Sequence, residues 1–266
     1  TNGTITTAEV GGGSSTAGNV TLTGAVNLAG ATTIDTSSSG GTVGFTSTIN
    51  GANTLTITSG AGAVDIAGII GGTAAIGNTS INNSSGAGTI DILQIGDGDP
   101  AAGISGTLDI GNTTTNQVEF DGTRYNIAGN VTVESKSGSH IDFTGADPSF
   151  TATGAGSTIT FSTGTIEIAA TGLTMSSNNG NISLGAIEGT HDEDLSINAG
   201  SGTLAVGAIG ATEVEGINTV ALTSSTSTTL SGDIVTSNAA GNTVTITGPT
   251  IISGACLLYT SPSPRD

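Results

Sequence analysis

Five acidic residues carry the clearest potential for chemistry in this 266-residue chain. Asp97 and Asp99 alternate with glycines in Gly96-Asp97-Gly98-Asp99, and Asp192, Glu193 and Asp194 are contiguous. Carboxylates on flexible turns are the ligands that a hard cation such as Ca2+ takes. These five are therefore the candidate calcium ligands. The repeated calcium-roll pattern Gly-Gly-x-Gly-x-Asp does not recur, and solvated loop acids are the plainer reading, so no obligatory cofactor is expected. The same acids bear on glycoside hydrolysis, which needs two carboxylates held at a fixed separation across a groove. Phe120 and Tyr125 are the only rings near them in sequence to serve as a sugar platform. A polysaccharide lyase needs a cation to stabilise the developing carbanion, and before the last eleven residues only Arg124 and Lys136 are basic. The two histidines, His140 and His191, lie far apart and lack metal-ligand spacing. With dozens of serines, a Ser/His/Asp triple can be drawn anywhere and carries no information. No catalytic residue is assigned, and the chain is expected not to be an enzyme.

Charge narrows the partners. There are 21 acidic and 3 basic residues, for a net charge of −18. Phosphate neutralisation needs clustered Lys and Arg, so nucleic acid is excluded, and an anionic membrane surface is disfavoured on the same ground. No run of eighteen apolar residues occurs, so no membrane insertion is expected in this segment. No signal peptide is recognisable, and the chain reads as the middle of a longer protein.

The elements that must carry these residues are short and repetitive. Val131-Thr132-Val133, Ile141-Asp142-Phe143, Ile159-Thr160-Phe161, Ile166-Glu167-Ile168 and Ile182-Ser183-Leu184 each place a polar residue between two apolar ones. That alternation puts the apolar pair on one face of a strand and the polar residue on the other. Apolar residues nowhere recur at helical spacing. Glycine is abundant (44 residues), Trp is absent and aromatics are 3% of the chain. The core must then be built from Ile, Val and Leu, which suits a narrow interior of stacked aliphatic rows. Regular apolar spacing and a mean hydropathy of +0.18 exclude disorder.

One pattern occurs twice. Leu55-Thr56-Ile57-Thr58 leads through Gly60 and Gly62 to Val64 and Ile66, and Leu195-Ser196-Ile197-Asn198 leads through Gly200 and Gly202 to Leu204 and Val206. Each copy reads as strand, glycine corner, strand, and such self-similarity marks a repeat architecture. The Gly-x-Gly corner also occurs at Gly86/Gly88 and Gly154/Gly156, and the steps of 26, 68 and 46 residues fit one, three and two units of about 23. The expectation is a parallel β-helix of about eleven coils over residues 1–255, with irregular loops leaving at corners. A β-sandwich or antiparallel barrel would need recurrent hairpin turns, and Asn50-Gly51 and Asp121-Gly122 are among the few candidates. Thr-x-Thr pairs such as Thr56/Thr58 and Thr245/Thr247 fall on scattered coils, so they read as exposed-face residues rather than an ice-binding array.

The stretch from Ile49-Asn50-Gly51-Ala52-Asn53 through Gly60-Ala61-Gly62 to Gly71-Gly72, together with residues 194–202, resembles the repeats of filamentous-haemagglutinin-like, adhesin-type bacterial exoproteins. The resemblance covers most of residues 1–255. It implies a right-handed parallel β-helix forming a secreted or cell-surface, outer-membrane-associated stalk. Its partner would be a surface receptor or glycan, met by the loops at 97–102 and 188–194. The family's Asn-Pro-Asn export motif does not occur in this chain. The alternative class is a carbohydrate-active β-helix enzyme, a lyase or a glycoside hydrolase. Residues 256–266, from Cys256 to Asp266, resemble a translated sequencing adapter and are set apart from the fold as a non-native tail.

Overall fold

The computed structural model describes residues 3–6, 18–99, 102–190, 192–210, 216–237, 241–253 and 258–259. Within them every regular element is a short strand, and every strand pairing is parallel. That removes the sandwich and the antiparallel barrel, and leaves a β-solenoid. One sheet stacks eleven strands, from Gly3–Thr6 to Thr250–Ile252. A second sheet of sixteen strands has two arms, joined where Thr89–Ile95 pairs with both Gln117–Phe120 and Arg124–Ile127. Each coil is thus a triangle. Leu108–Gly111 lies on the first face, Gln117–Phe120 on the second and Arg124–Ile127 on the third, after which Val131–Glu134 lies on Leu108–Gly111.

The described residues close about nine turns, slightly fewer than the eleven expected. The difference comes from coil length. Leu55 pairs with Thr32 and Ile182 with Ile159, steps of 23 residues, but Leu108 pairs with Thr79 and Ile159 with Val131, steps of 29 and 28. In the first of these long coils the extra chain interrupts the third face, between Ile95, which registers with Tyr125, and Ile104, which registers with Ile127 of the same strand. In the second it is divided between two corners.

Period-2 alternation explains the interior. Ile34, Ile57, Ile81, Ile110, Val133, Phe161, Leu184, Val206 and Leu230 occupy equivalent positions on successive coils and form one buried column along the first face. The core is not purely aliphatic. Phe120, Tyr125, Phe143, Phe150 and Phe161 fill the middle coils, with ring centroids 4.9–6.5 Å apart. Phe120 and Tyr125 are both fully buried, so neither is a sugar platform. The Tyr125 hydroxyl accepts a hydrogen bond from the Gly122 N–H (2.6 Å) and donates one to the Leu93 carbonyl (3.1 Å), which lets the phenol sit inside.

The corners explain the repeated glycines. Gly60 turns the chain in the left-handed region at φ +64°, and a Cβ on Gly62 would lie 2.2 Å from the Gly41 carbonyl oxygen of the preceding coil. Gly200 (φ +56°) and Gly202 (2.0 Å from the Gly180 oxygen) divide the two roles in the same way. The two copies nevertheless occupy different corners. The first joins the first face to the second, and the second joins the third face to the first. Each corner makes the same demand, so the copies are not a whole number of coils apart. Of the three steps, 26 is one coil and 46 is two, whereas 68 crosses from one kind of corner to another. Asparagines close the corners ahead of the first face: the side-chain carbonyls of Asn78, Asn130 and Asn181 accept hydrogen bonds from the N–H groups of Thr107, Thr158 and Thr203, one coil on (2.9–3.0 Å).

The segment set apart as a tail does contribute one piece of structure. Leu258–Tyr259 pairs in parallel with Ile234 and Val235. The edge of the last coils presents unpaired backbone groups, which accept any extended segment in reach.

Candidate functional site: an acidic column with one histidine

On the second face, the residue between two buried neighbours is acidic on six successive coils. These residues are Asp65, Asp91, Glu119, Asp142, Glu167 and Glu188. The register places Asp65 on Asp91, Asp91 on Glu119, Glu119 on Asp142, Asp142 on Glu167 and Glu167 on Glu188. Gly44 takes the equivalent position before Asp65. Neighbouring strands lie about 4.8 Å apart, so the column puts one carboxylate at each such step. Like charges directly opposite one another destabilise a sheet, and packing gives no reason for six in a row.

The column's own field shows in its proton affinities. Asp91 is pushed up to about 6, first by burial and then by the carboxylates of Asp121, Glu119 and Asp65, with a side-chain hydrogen bond to Asp121 acting in the same direction. Glu119 is raised by burial and by Asp121 and Asp142, against a hydrogen bond from Thr144. Burial also raises Asp142, while Gln117 and His140 oppose it. Three of the central acids therefore hold protons more tightly than ordinary surface carboxylates.

Beside the centre of the column stands His140. It lies two residues before Asp142 on the strand His140–Phe143 and shares its outward face. Its Nδ1 is 3.2 Å from Glu167 Oε2 and 3.8 Å from Asp142 Oδ1, and its side chain is 45% exposed. Asp142 is only 6% exposed. Its Oδ2 accepts a hydrogen bond from Gln117 Nε2, and its buried Oδ1 has no hydrogen-bond partner. One potential ligand atom from each of His140, Asp142 and Glu167 lies within 4.8 Å of the others. This is the group of three such residues that the described part of the chain brings together.

The five acids singled out in the sequence lie elsewhere. Asp97 and Asp99 sit exposed on the loop at 96–103, where Asp97 Oδ1 accepts a hydrogen bond from the Asp99 N–H (3.1 Å). A Cβ on Gly98 would come 2.8 Å from the Arg124 guanidinium, so that basic side chain lies against the loop. Asp192 and Asp194 are exposed, but Glu193 points inward and is 2% exposed. Glu193 Oε1 accepts from the Thr190 N–H and hydroxyl, both at 2.9 Å, and Asp194 Oδ1 accepts from the Thr219 hydroxyl (2.6 Å). The two sets are four coils apart and do not meet. Strand alternation also separates Glu193 from its two neighbours.

Spacing along the chain hides the environment of His140. In a solenoid the relevant offsets are two residues, which keeps a side chain on the same face, and one coil, which places it on the next strand. His140 to Asp142 is the first offset, and Asp142 to Glu167 is the second. His191 lies outside the described residues. No protein-family model matches the chain, and neither does any curated protein or solved structure.

Proposed function

We propose that this chain is a structural and adhesive stalk segment of a large secreted or cell-surface bacterial exoprotein. Its loops would present contacts to surfaces, glycans or other cells. The observation that carries the reading is the uninterrupted stacking of three faces. The columns run from coil to coil, and the added length of the longest described coil is gathered in one excursion from the third face, between Ile95 and Ile104. A rod built in this way gains reach by adding coils, since each coil covers its neighbours. Asp97, Gly98 and Asp99 are exposed where a partner can meet them. To test the reading, beads carrying the chain are assayed for attachment to cells and to immobilised glycans. Deleting residues 97–102 is expected to reduce attachment severalfold with coil stability retained. Unchanged attachment removes the loop from the reading, and no attachment by the intact chain removes the adhesive role.

A second reading, a carbohydrate-active enzyme, draws on one observation. Asp91 retains its proton up to about pH 6 beside Asp121, and paired carboxyl groups of unequal proton affinity are the working parts of glycoside hydrolases. Release of reducing ends from acidic or neutral glycans, abolished in Asp91→Asn, would favour the enzyme over the stalk.

A further inference from the structure

We propose that His140, Asp142 and Glu167 form a binding site for a divalent first-row transition metal, with Zn2+ as its natural probe. The site is independent of the stalk reading, since it rests on local geometry and not on what the rod attaches to.

Three features of the fold build it. The strand His140–Phe143 sends His140 and Asp142 out on one side, and the parallel ladder sets Glu167 directly against Asp142 from the next coil. All three side chains thus start from a backbone fixed by inter-coil hydrogen bonds rather than from a loop. The distances suit a small ion. Tetrahedral zinc with bonds of about 2.0–2.1 Å spaces its ligand atoms about 3.3 Å apart. The His140 nitrogen stands 3.2 and 3.8 Å from its two carboxylate oxygens, and the set lies within 4.8 Å. Closure onto a metal requires shifts of a few tenths of an ångström to about one ångström in side chains alone.

A second and separate observation is the state of Asp142. More than nine-tenths of this residue is buried, and Gln117 holds one of its oxygens from behind. The other oxygen faces His140 and Glu167 with no hydrogen bond. A buried acceptor left unsatisfied is costly and calls for an explanation. A protonated His140 answers Glu167 at 3.2 Å, but at 3.8 Å it does not reach the Asp142 oxygen. A cation between the three serves both carboxylates at once. Gln117 then acts as a positioning residue that fixes which oxygen is offered.

The donor set also selects the ion. One imidazole with two carboxylates favours the later first-row divalent metals over Ca2+ and Mg2+, which prefer all-oxygen shells. Glu119 on one side of the pair and Glu188 on the other continue the negative column and draw cations to it. His140 lies at the surface, so the remaining coordination positions face water.

The test uses the whole chain without an affinity tag, stripped with chelator and titrated with Zn2+ by calorimetry in 150 mM salt. One ion per chain with micromolar or tighter affinity is expected, with Co2+ giving the visible absorption of a low-coordinate site. His140→Gln and Glu167→Gln should each weaken binding at least tenfold. Both positions are partly exposed, so circular dichroism should show the fold retained. Asp97→Asn with Asp99→Asn should leave binding unchanged. Gln117→Ala should weaken Zn2+ binding while leaving the number of ions at one. Absence of Zn2+ binding up to millimolar concentration overturns the proposal. So does Zn2+ binding that survives His140→Gln, or Ca2+ binding of equal strength, since either would mean diffuse attraction to the column.

Discussion

Asp91 combines burial with three nearby carboxylates, and its titration reaches the stability of the whole rod. Its folded-state pKa is about 6, against an ordinary value of 3.8. A carboxyl whose pKa rises on folding is protonated more readily in the folded state. Its favourable contribution is complete below about pH 3.8 and is lost as pH climbs through about 6. The groups that face it, Asp65, Glu119 and Asp121, are all acidic and act in the same direction. The melting temperature should therefore fall between pH 4 and pH 6.5, the reverse of the usual acid sensitivity of a carboxylate-rich protein. Asp91 is only partly buried, so the amplitude attributable to it is about 1 kcal/mol. Thermal melts across that range check this, and Asp91→Asn should flatten the slope. A wild-type slope of the opposite sign, or one unchanged in the variant, would show that the column does not govern it.

At the scale of the strand, the acidic column is a destabilising feature kept in place by the apolar residues on either side of it. Each acid except Glu188, which precedes Gly189, sits between inward side chains such as Ile90 and Ile92 or Val118 and Phe120, all of them fully buried. Burying one such side chain is worth about 1.5–3 kcal/mol, whereas a like-charge cross-strand pair costs about 0.2–1 kcal/mol. Burial wins on every coil, so the column survives. Screening should relieve part of the repulsion. Raising NaCl from 20 to 500 mM is expected to increase the denaturation midpoint, and Glu119→Gln should stabilise the chain by ~0.5 kcal/mol at low salt and reduce the gain. The fold was legible at this scale because apolar-x-apolar triplets and glycine corners are local signals. The site was not, because it depends on phase between coils. Two of the three corners carry the same Gly-x-Gly pattern, and coils of 28 and 29 residues break the arithmetic. Asp142 and Glu167 were both visible as the middle residues of strand triplets. Only the register shows that they face each other beside His140. Glycine-flanked acids such as Asp97 stand out by composition, yet their place beside the third face holds them apart from other ligands. The aromatic cluster was hidden for a related reason. Phe120, Tyr125, Phe143, Phe150 and Phe161 are spread along the chain and become neighbours only when the coils stack.

Across the whole molecule, the inward columns do not end in a polar cap within the described coils. Ile252 pairs with Leu230 in the inward column of the first face, yet it is 57% exposed, and Ile251 beside it is 53% exposed. Val244 and Ile246 are only partly buried against the core. A parallel edge with exposed aliphatics accepts further strands, as the pairing of Leu258–Tyr259 illustrates. The purified chain is expected to self-associate as concentration rises, and Ile251→Lys with Ile252→Thr should shift sedimentation back towards monomer. A wild-type chain that sediments as monomer at hundreds of micromolar would contradict this. Regular stacking also makes the rod editable in whole coils. Excising residues 159–181 would bring Ile182 to the place now held by Ile159, and Ile187 to that of Ile166. Glu188 would then stand against Asp142 in place of Glu167, shortening the stripe of carboxyl groups by one without erasing the trio that includes His140. Duplication or loss of a coil by recombination would thus change how long the charged line is while leaving its chemistry intact.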